Sequence, residues 1–299
     1  MSFSRPKHYL KLVFKYPIEA LLIYSLLGVA LCLPLTWSSA LTGLLARIIG
    51  GYSGANRIAI KNLKTALPHL TPEEISRITA GVWETFGSAM GEYPKLRQLD
   101  LYHDPRIEIV GAEYIDQLRD DGKPAIIFSA HLSSWELAIM AATQRGIKIS
   151  QVYRPANNPL VNYLVRHFQE AFIEELLAKG AAGDARKIIA ALNRGAHLFL
   201  LVDQKFNGGV AVPFFGREAM TAPAAARLAL RYNCPLVPAR VERLGGFRFR
   251  VTYYPPLEFP KTKDERQVYG LMCQMNNIIE EWIRERPEQW LWLHRRWGK

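Results

Sequence analysis

Ala125-Ile126-Ile127-Phe128-Ser129-Ala130-His131-Leu132-Ser133-Ser134-Trp135-Glu136 is the stretch whose reading decides the fold. Ala125 to Ala130 is a short apolar run that follows the turn signal Asp121-Gly122-Lys123-Pro124, the pattern of a buried strand. The period then changes. Trp135 to Ala142 is apolar and rich in helix formers, with Ser133 or Ser134 placed to cap its first turn. His131 therefore belongs at the carboxyl end of a strand and Glu136 in the first turn of the next helix, where open α/β sheets carry their sites.

Five positions separate the two side chains, which on one continuous helix would set them about 140° apart. The strand-turn-helix break removes that objection. His131 then suits a general base that takes a proton from a hydroxyl, and Glu136 a partner that fixes its tautomer and stabilises the imidazolium. The plainer readings are a structural histidine at a strand end and a capping box formed by Ser133 and Glu136.

Around this stretch, strand-like runs alternate with helical ones. Strands are expected at 106–110, 125–130, 148–153, 197–202, 235–241 and 247–253, and helices at 135–144, 160–177, 186–192, 222–231 and 267–286. That rhythm is one of βαβ units, and it predicts an α/β fold with a mainly parallel sheet flanked by helices. Thr71-Pro72-Glu73-Glu74 opens another helix with a threonine cap, a proline in its first turn and a capping-box glutamate. Its stripe Ile75, Ile78, Val82, Phe86 and Met90 reads as core packing.

The amino terminus is different. Residues 20–46 carry no charged side chain, and their apolar run through Leu35 is followed by Trp37 at interface depth; the segment predicts a retained N-terminal membrane-anchoring helix in preference to a cleaved signal peptide. Pro34 leaves open whether it spans or re-enters. Arg5, Lys7, Lys11 and Lys15 flank one side and Arg47, Arg57, Lys61 and Lys64 the other, so charge sets no orientation. The expected organisation is an anchor over 1–50 and one domain over 51–299, with a helical lead-in (51–105) and an α/β core (106–299).

The 299 residues are 49% hydrophobic and carry a formal net charge of +11, which favours anionic partners such as nucleic acid, anionic lipid or an acidic carrier protein. Cys32, Cys234 and Cys273 lie far apart, with no metal spacing. A Gly-x-Ser-x-Gly elbow, a P-loop and a dinucleotide fingerprint are all missing, so hydroxyl activation by His131 is the simplest chemistry the sequence offers.

Other candidates cluster at predicted strand ends. Arg154 closes Val152-Tyr153-Arg154-Pro155 and suits a phosphate or an oxyanion, or else a salt bridge at the rim. Asp203, in Leu201-Val202-Asp203-Gln204-Lys205, either pairs with Arg154 or begins the turn that Asn207-Gly208-Gly209 continues. Phe214 and Phe215 either line an acyl channel or pack in the core. The end of the chain, Trp290-Leu291-Trp292-Leu293-His294-Arg295-Arg296-Trp297, mixes indoles with cations; a membrane interface and a nucleic-acid patch share that pattern, and the apolar amino terminus favours the membrane.

Taken in order, these residues resemble a known family. His131 and Glu136 are similar to the histidine-and-acid signature of the lysophospholipid acyltransferase superfamily. The ordered set Asn62-Leu63 with Pro68, the His131 motif, Val152-Tyr153-Arg154-Pro155 with Asn158-Pro159, Asp203-Gln204, Phe214-Phe215-Gly216 with Thr221, and Pro287-Glu288-Gln289-Trp290 through Arg296 resembles the bacterial lipid A late acyltransferases, the Kdo-lipid IVA lauroyl and myristoyl transferases. The resemblance implies a glycerolipid acyltransferase-like fold and direct transfer, without an acyl-enzyme, of a fatty acyl chain from acyl carrier protein to a glycolipid hydroxyl. It implies location on the cytoplasmic face of the bacterial inner membrane, no cofactor or metal, and no nucleic acid. His131 and Glu136 would be catalytic, and Arg154, Asp203, Gln204, Lys205 and Arg186 would bind substrate, with Lys179-Gly180 beside Arg186. Glu174-Glu175 departs from the more basic or apolar character expected there. The competing readings are an acyltransferase for another lysolipid or a phosphatidylinositol mannoside, and a non-catalytic membrane-tethered lipid-binding protein.

Overall fold

A computed structural model describes residues 14–178, 184–259 and 264–298. Seven strands form one sheet in the order β1 (Ile107–Val110), β9 (Phe249–Tyr253), β8 (Leu236–Arg243), β2 (Ile126–Ser129), β5 (His197–Leu201), β3 (Ile149–Tyr153), β4 (Glu175–Ala178). Every neighbouring pair is parallel except β8 with β9. The mainly parallel α/β expectation therefore holds. β2 lies at the centre of the sheet and is buried along its whole length, as a strand covered on both faces must be. Its side chains alternate, Ile126 and Phe128 into one apolar layer and Ala125 and Ile127 into the other.

The helices are α1 (Tyr16–Cys32), α2 (Leu35–Gly50), α3 (Gly54–Ala66), α4 (Pro72–Glu92), α5 (Ala112–Asp120), α6 (Glu136–Gln144), α7 (Pro159–Gln169), α8 (Asp184–Asn193), α9 (Ala224–Tyr232) and α10 (Glu265–Glu285). Local chemistry starts several of them. Thr71 and Glu74 form the expected capping box of α4, Asn158 caps α7 ahead of Pro159, and Asp264 caps α10. α3, α9 and α10 cover one face of the sheet and α5 and α6 the other. Strands β6 (Val210–Phe214) and β7 (Arg217–Thr221) form a separate hairpin. Phe215 and Gly216, both at positive φ, make its two-residue turn.

Three expectations are corrected here. The apolar amino-terminal stretch is not one helix: Leu33 and Pro34 are extended and divide it into α1 and α2. Proline lacks an amide hydrogen and disfavours helix in the residue before it. Among the described residues no helix is long and apolar enough to cross a membrane, so the spanning form of the anchor is left without support. Arg5, Lys7 and Lys11 lie outside the described residues, as do Lys179 and Gly180. The helix expected over 160–177 stops at Gln169, and Glu175–Ala178 instead pairs with β3, since strand pairing outweighs the helix preference of Glu and Leu. Three of the terminal Trp and Arg residues face the interior, while Arg295 is exposed. Trp290, Trp292 and Arg296 are fully buried, because their ring N–H and guanidinium groups find acceptors in Asp203, the Pro287 carbonyl, the Met220 carbonyl and Thr221.

Candidate active site

Register brings the central pair together. Ser129 of β2 lies opposite Leu201 of β5, so the two chains leave the sheet side by side with His131 facing Asp203 two residues on. His131 Nδ1 stands 2.8 Å from Asp203 Oδ1, and the His131 backbone N–H donates to Oδ2 at 3.0 Å. The Trp290 indole N–H donates to the same Oδ2 at 2.7 Å. Burial works against ionisation of Asp203, but the His131 ring and the hydrogen bonds it donates prevail, and the carboxyl is held well below the usual carboxylate range. An ionised Asp203 requires the proton on Nδ1, which leaves Nε2 as the acceptor. Nε2 faces the Gln204 amide nitrogen at 3.3 Å.

This corrects two sequence expectations. The partner that fixes the His131 tautomer is Asp203 instead of Glu136, and Asp203 pairs with His131 instead of Arg154. Arg154 lies one strand further, beyond β3, and is exposed. Glu136 is buried beside the ring, and desolvation pushes its carboxyl up to about 7; attraction to His131 opposes that rise and the neighbouring Glu92 adds to it. The expected serine cap is absent. Trp135 occupies the cap position of α6, and the Ser134 hydroxyl goes to Glu92.

The turn carrying His131 is firmly held. Ser133 sits at φ 51°, a left-handed conformation that a non-glycine residue keeps only where its surroundings enforce it. Its N–H donates to the Gln289 carbonyl at 2.9 Å, and the Leu291 N–H donates to the His131 carbonyl at 3.0 Å. A narrow cleft opens beside the ring, lined by Val82, Phe86 and Ala89 of α4, by Trp135, and by Trp290 and Leu291. The stripe on α4 that the sequence assigned to packing alone thus contributes a wall of the cleft.

The remaining candidates are dispersed. The Lys205 ammonium donates to the Gly298 carbonyl at 2.5 Å, and Arg186 is exposed on α8. Phe214 and Phe215 are buried against Trp290, Trp292 and Trp297, in the core and away from the cleft lining. Sequence reasoning missed Glu92, Arg243 and the role of Trp290. Glu92 offered one signal: a carboxylate in the last turn of a helix opposes the helix dipole unless a cation elsewhere meets it. Asn62, singled out with Leu63, ties α3 to the carboxyl-terminal segment through the Trp292 and His294 carbonyls. His294 lies edge-on to Trp290, and burial pushes its ring down to about 4, so it is neutral near pH 7. Among the described residues no cluster of three or more His, Cys, Asp or Glu is arranged to hold a metal.

The chain is 25% identical over 252 residues to the lipid A biosynthesis palmitoleoyltransferase of Escherichia coli K12, covering 80% of this chain and 77% of that protein. It is 24% identical over 259 residues to the lipid A biosynthesis myristoyltransferase of the same organism, covering 84% and 78%. Among solved structures it is similar to the 1-acyl-sn-glycerophosphate acyltransferase of Thermotoga maritima, with a TM-score of 0.39 and 13% identity over 89% of this chain and 97% of that one. The family of bacterial lipid A biosynthesis acyltransferases matches residues 7–299. The chain belongs to that family, and it is an O-acyltransferase.

Proposed function

We propose that the protein moves a fatty acyl chain from an acyl carrier protein thioester to a hydroxyl of a lipid A precursor of the Kdo-lipid IVA type, with His131 as general base. The observation that carries this is the asymmetry of the His131 ring, which lines the cleft: Nδ1 is bound to a buried, ionised carboxylate while Nε2 faces the Gln204 amide. Such a ring accepts a proton at one defined nitrogen. Nε2 takes the proton of the acceptor hydroxyl as its oxygen attacks the thioester carbonyl. The tetrahedral oxyanion sits against the amides of Ser134 and Trp135, where a helix start has no internal acceptor for its N–H groups. Collapse expels the carrier thiolate, which recovers the proton from His131. One ester bond forms and one thioester bond breaks, and no acyl-enzyme is needed.

Asp203 orients the imidazole, and Glu136, buried nearby, stabilises the imidazolium when ionised. The apolar wall of Val82, Phe86 and Ala89 suits the acyl chain. Gln204, Lys205 and Arg154 are proposed to meet the anionic acceptor, and the net charge of +11 suits both it and an acidic carrier. Membrane contact follows from the exposed face of α2, where Trp37, Leu41, Leu44, Leu45 and Ile48 recur at helical spacing and face solvent. α1 adds Leu21, Leu22, Leu26 and Val29. We assign this pair of helices to the cytoplasmic surface of the inner membrane, lying in the lipid interface instead of crossing it.

The test is acyl transfer by purified protein with acylated carrier protein as donor and either Kdo-lipid IVA or lysophospholipid as acceptor. Transfer to the glycolipid that is lost in His131→Ala, with fold intact, supports the reading. Transfer to lysophospholipid alone changes the acceptor, and undiminished transfer by His131→Ala overturns the mechanism.

A further inference from the structure

Glu92, the last residue of α4, is fully buried and outside the catalytic pair, yet its carboxylate accepts four hydrogen bonds. Oε1 receives Ser39 Oγ at 2.5 Å and Arg243 at 2.7 Å, and Oε2 receives Arg243 at 2.9 Å and Ser134 Oγ at 2.6 Å. The Arg243 guanidinium also reaches Ser134 Oγ at 3.2 Å and lies over the Phe249 ring. Removing two charges from water is costly, and a greasy pair of equal volume would serve packing as well. What such a pair would not do is grip Ser134.

Ser134 is one residue from the left-handed Ser133, three from His131 and two from Glu136. Arg243 closes the grip from the other side. The Gln289 side chain brackets its backbone, accepting from the Arg243 N–H and donating to its carbonyl, both at 2.8 Å, while the Gln289 carbonyl takes the Ser133 N–H. The strained turn is thus pinned by α4, β8 and the carboxyl-terminal segment together. Ser39 adds α2, the helix whose opposite face carries the exposed apolar residues.

We propose that Glu92, paired with Arg243, is a positioning residue for acyl transfer: through Ser134 it fixes the turn that aims His131 and presents the Ser134 and Trp135 amides ahead of α6. The inference rests on the acyl-transfer reading above. It predicts a cost in turnover and none in substrate binding, because none of the three side chains is part of the cleft lining.

The experiment measures kcat and KM of full-length protein per folded molecule for wild type, Ser134→Ala, Glu92→Gln and His131→Ala, with acylated carrier protein and Kdo-lipid IVA. Ser134→Ala leaves the Glu92–Arg243 pair whole, so it tests the grip even where Glu92→Gln does not fold. The expected result is a kcat lower by about 10- to 100-fold in Ser134→Ala, the scale of a small misplacement of reacting groups, with KM within about 2-fold of wild type. Thermal denaturation reports the folded fraction. A Ser134→Ala enzyme that melts earlier but turns over at the wild-type rate overturns the inference and leaves a structural role only. His131→Ala separates the two ideas. If it retains turnover, the acyl-transfer mechanism itself falls; if it is inactive while Ser134→Ala is unimpaired, only the role of Glu92 falls.

Discussion

Trp290 donates its indole N–H to Oδ2 of Asp203 at 2.7 Å, so the carboxylate that holds His131 is itself held by a residue 87 positions further along the chain. Both partners are buried, and no solvent replaces the donor if it is lost. Trp290→Phe keeps most of the ring but leaves Oδ2 one donor short, a deficit of about 1–3 kcal/mol. The expected outcome is a lower melting temperature together with a kcat reduced by about tenfold, read by thermal denaturation and steady-state transfer.

Asp203→Asn tests the tautomer directly. An amide cannot hold the proton on Nδ1 as an ionised carboxylate does, and it permits a ring whose Nε2 carries hydrogen and accepts nothing. Turnover is expected to fall by about 10²- to 10⁴-fold with the fold retained, as measured by single-turnover acyl transfer.

Glu136 makes a distinct pH dependence. Desolvation, its largest influence, raises the native carboxyl from 4.5 to about 7, so between those values the folded protein binds more proton than the unfolded chain. Stability therefore declines as pH rises through that window, by roughly 3 kcal/mol over its full width. Asp203, held below its usual value of 3.8, acts the other way and loses its contribution only as pH falls below about 4. Glu136→Gln is expected to flatten the stability profile between about pH 4.5 and 7 in urea titrations; an unchanged slope would assign the dependence elsewhere.

What the sequence revealed about the site was chemistry at strand ends, and what it hid was which ends are neighbours. The apolar run before His131 and the helix after it were readable from their period. That Asp203 would stand opposite His131 depends on β5 lying beside β2, and strand order in a parallel sheet is set by crossovers whose packing is not local. The same limit hid Glu92 and Arg243, 151 positions apart and joined only in the fold. Composition misled at the carboxyl end, since buried and interfacial tryptophans share one pattern until their N–H partners are known. At the amino end Pro34 was visible, and the helix break it enforces divided a segment that hydropathy alone read as continuous.

The exposed face of α2 yields a prediction about lipid. Fully burying a leucine or isoleucine is worth about 1.5–3 kcal/mol, and an interfacial helix gains some fraction of that for each residue. Leu41→Ser, Leu44→Ser and Ile48→Ser together should lower partitioning onto anionic phospholipid vesicles by at least about tenfold in a sedimentation assay, while transfer to a detergent-dispersed acceptor persists. Wild-type partitioning in the triple variant would remove α2 from the membrane contact.

Two glycines should respond to the same substitution with opposite signs. Alanine is favoured over glycine within a helix by about 1 kcal/mol. Gly270, in exposed surroundings on α10, has nothing within 4 Å of an added Cβ, so Gly270→Ala should raise stability by most of that amount. Gly87 of α4 packs against α2, and an added Cβ would overlap the Ala46 Cβ and the Thr42 carbonyl oxygen. Because the contact includes backbone, relief requires the helices to part, and overpacking of this kind costs about 1–3 kcal/mol. Separation of α2 from α4 would also lengthen the Ser39–Glu92 hydrogen bond. Gly87→Ala should therefore melt below wild type and Gly270→Ala above it in paired thermal scans. If both variants gained stability, the close approach of α2 and α4 would be excluded as the reason for glycine at position 87.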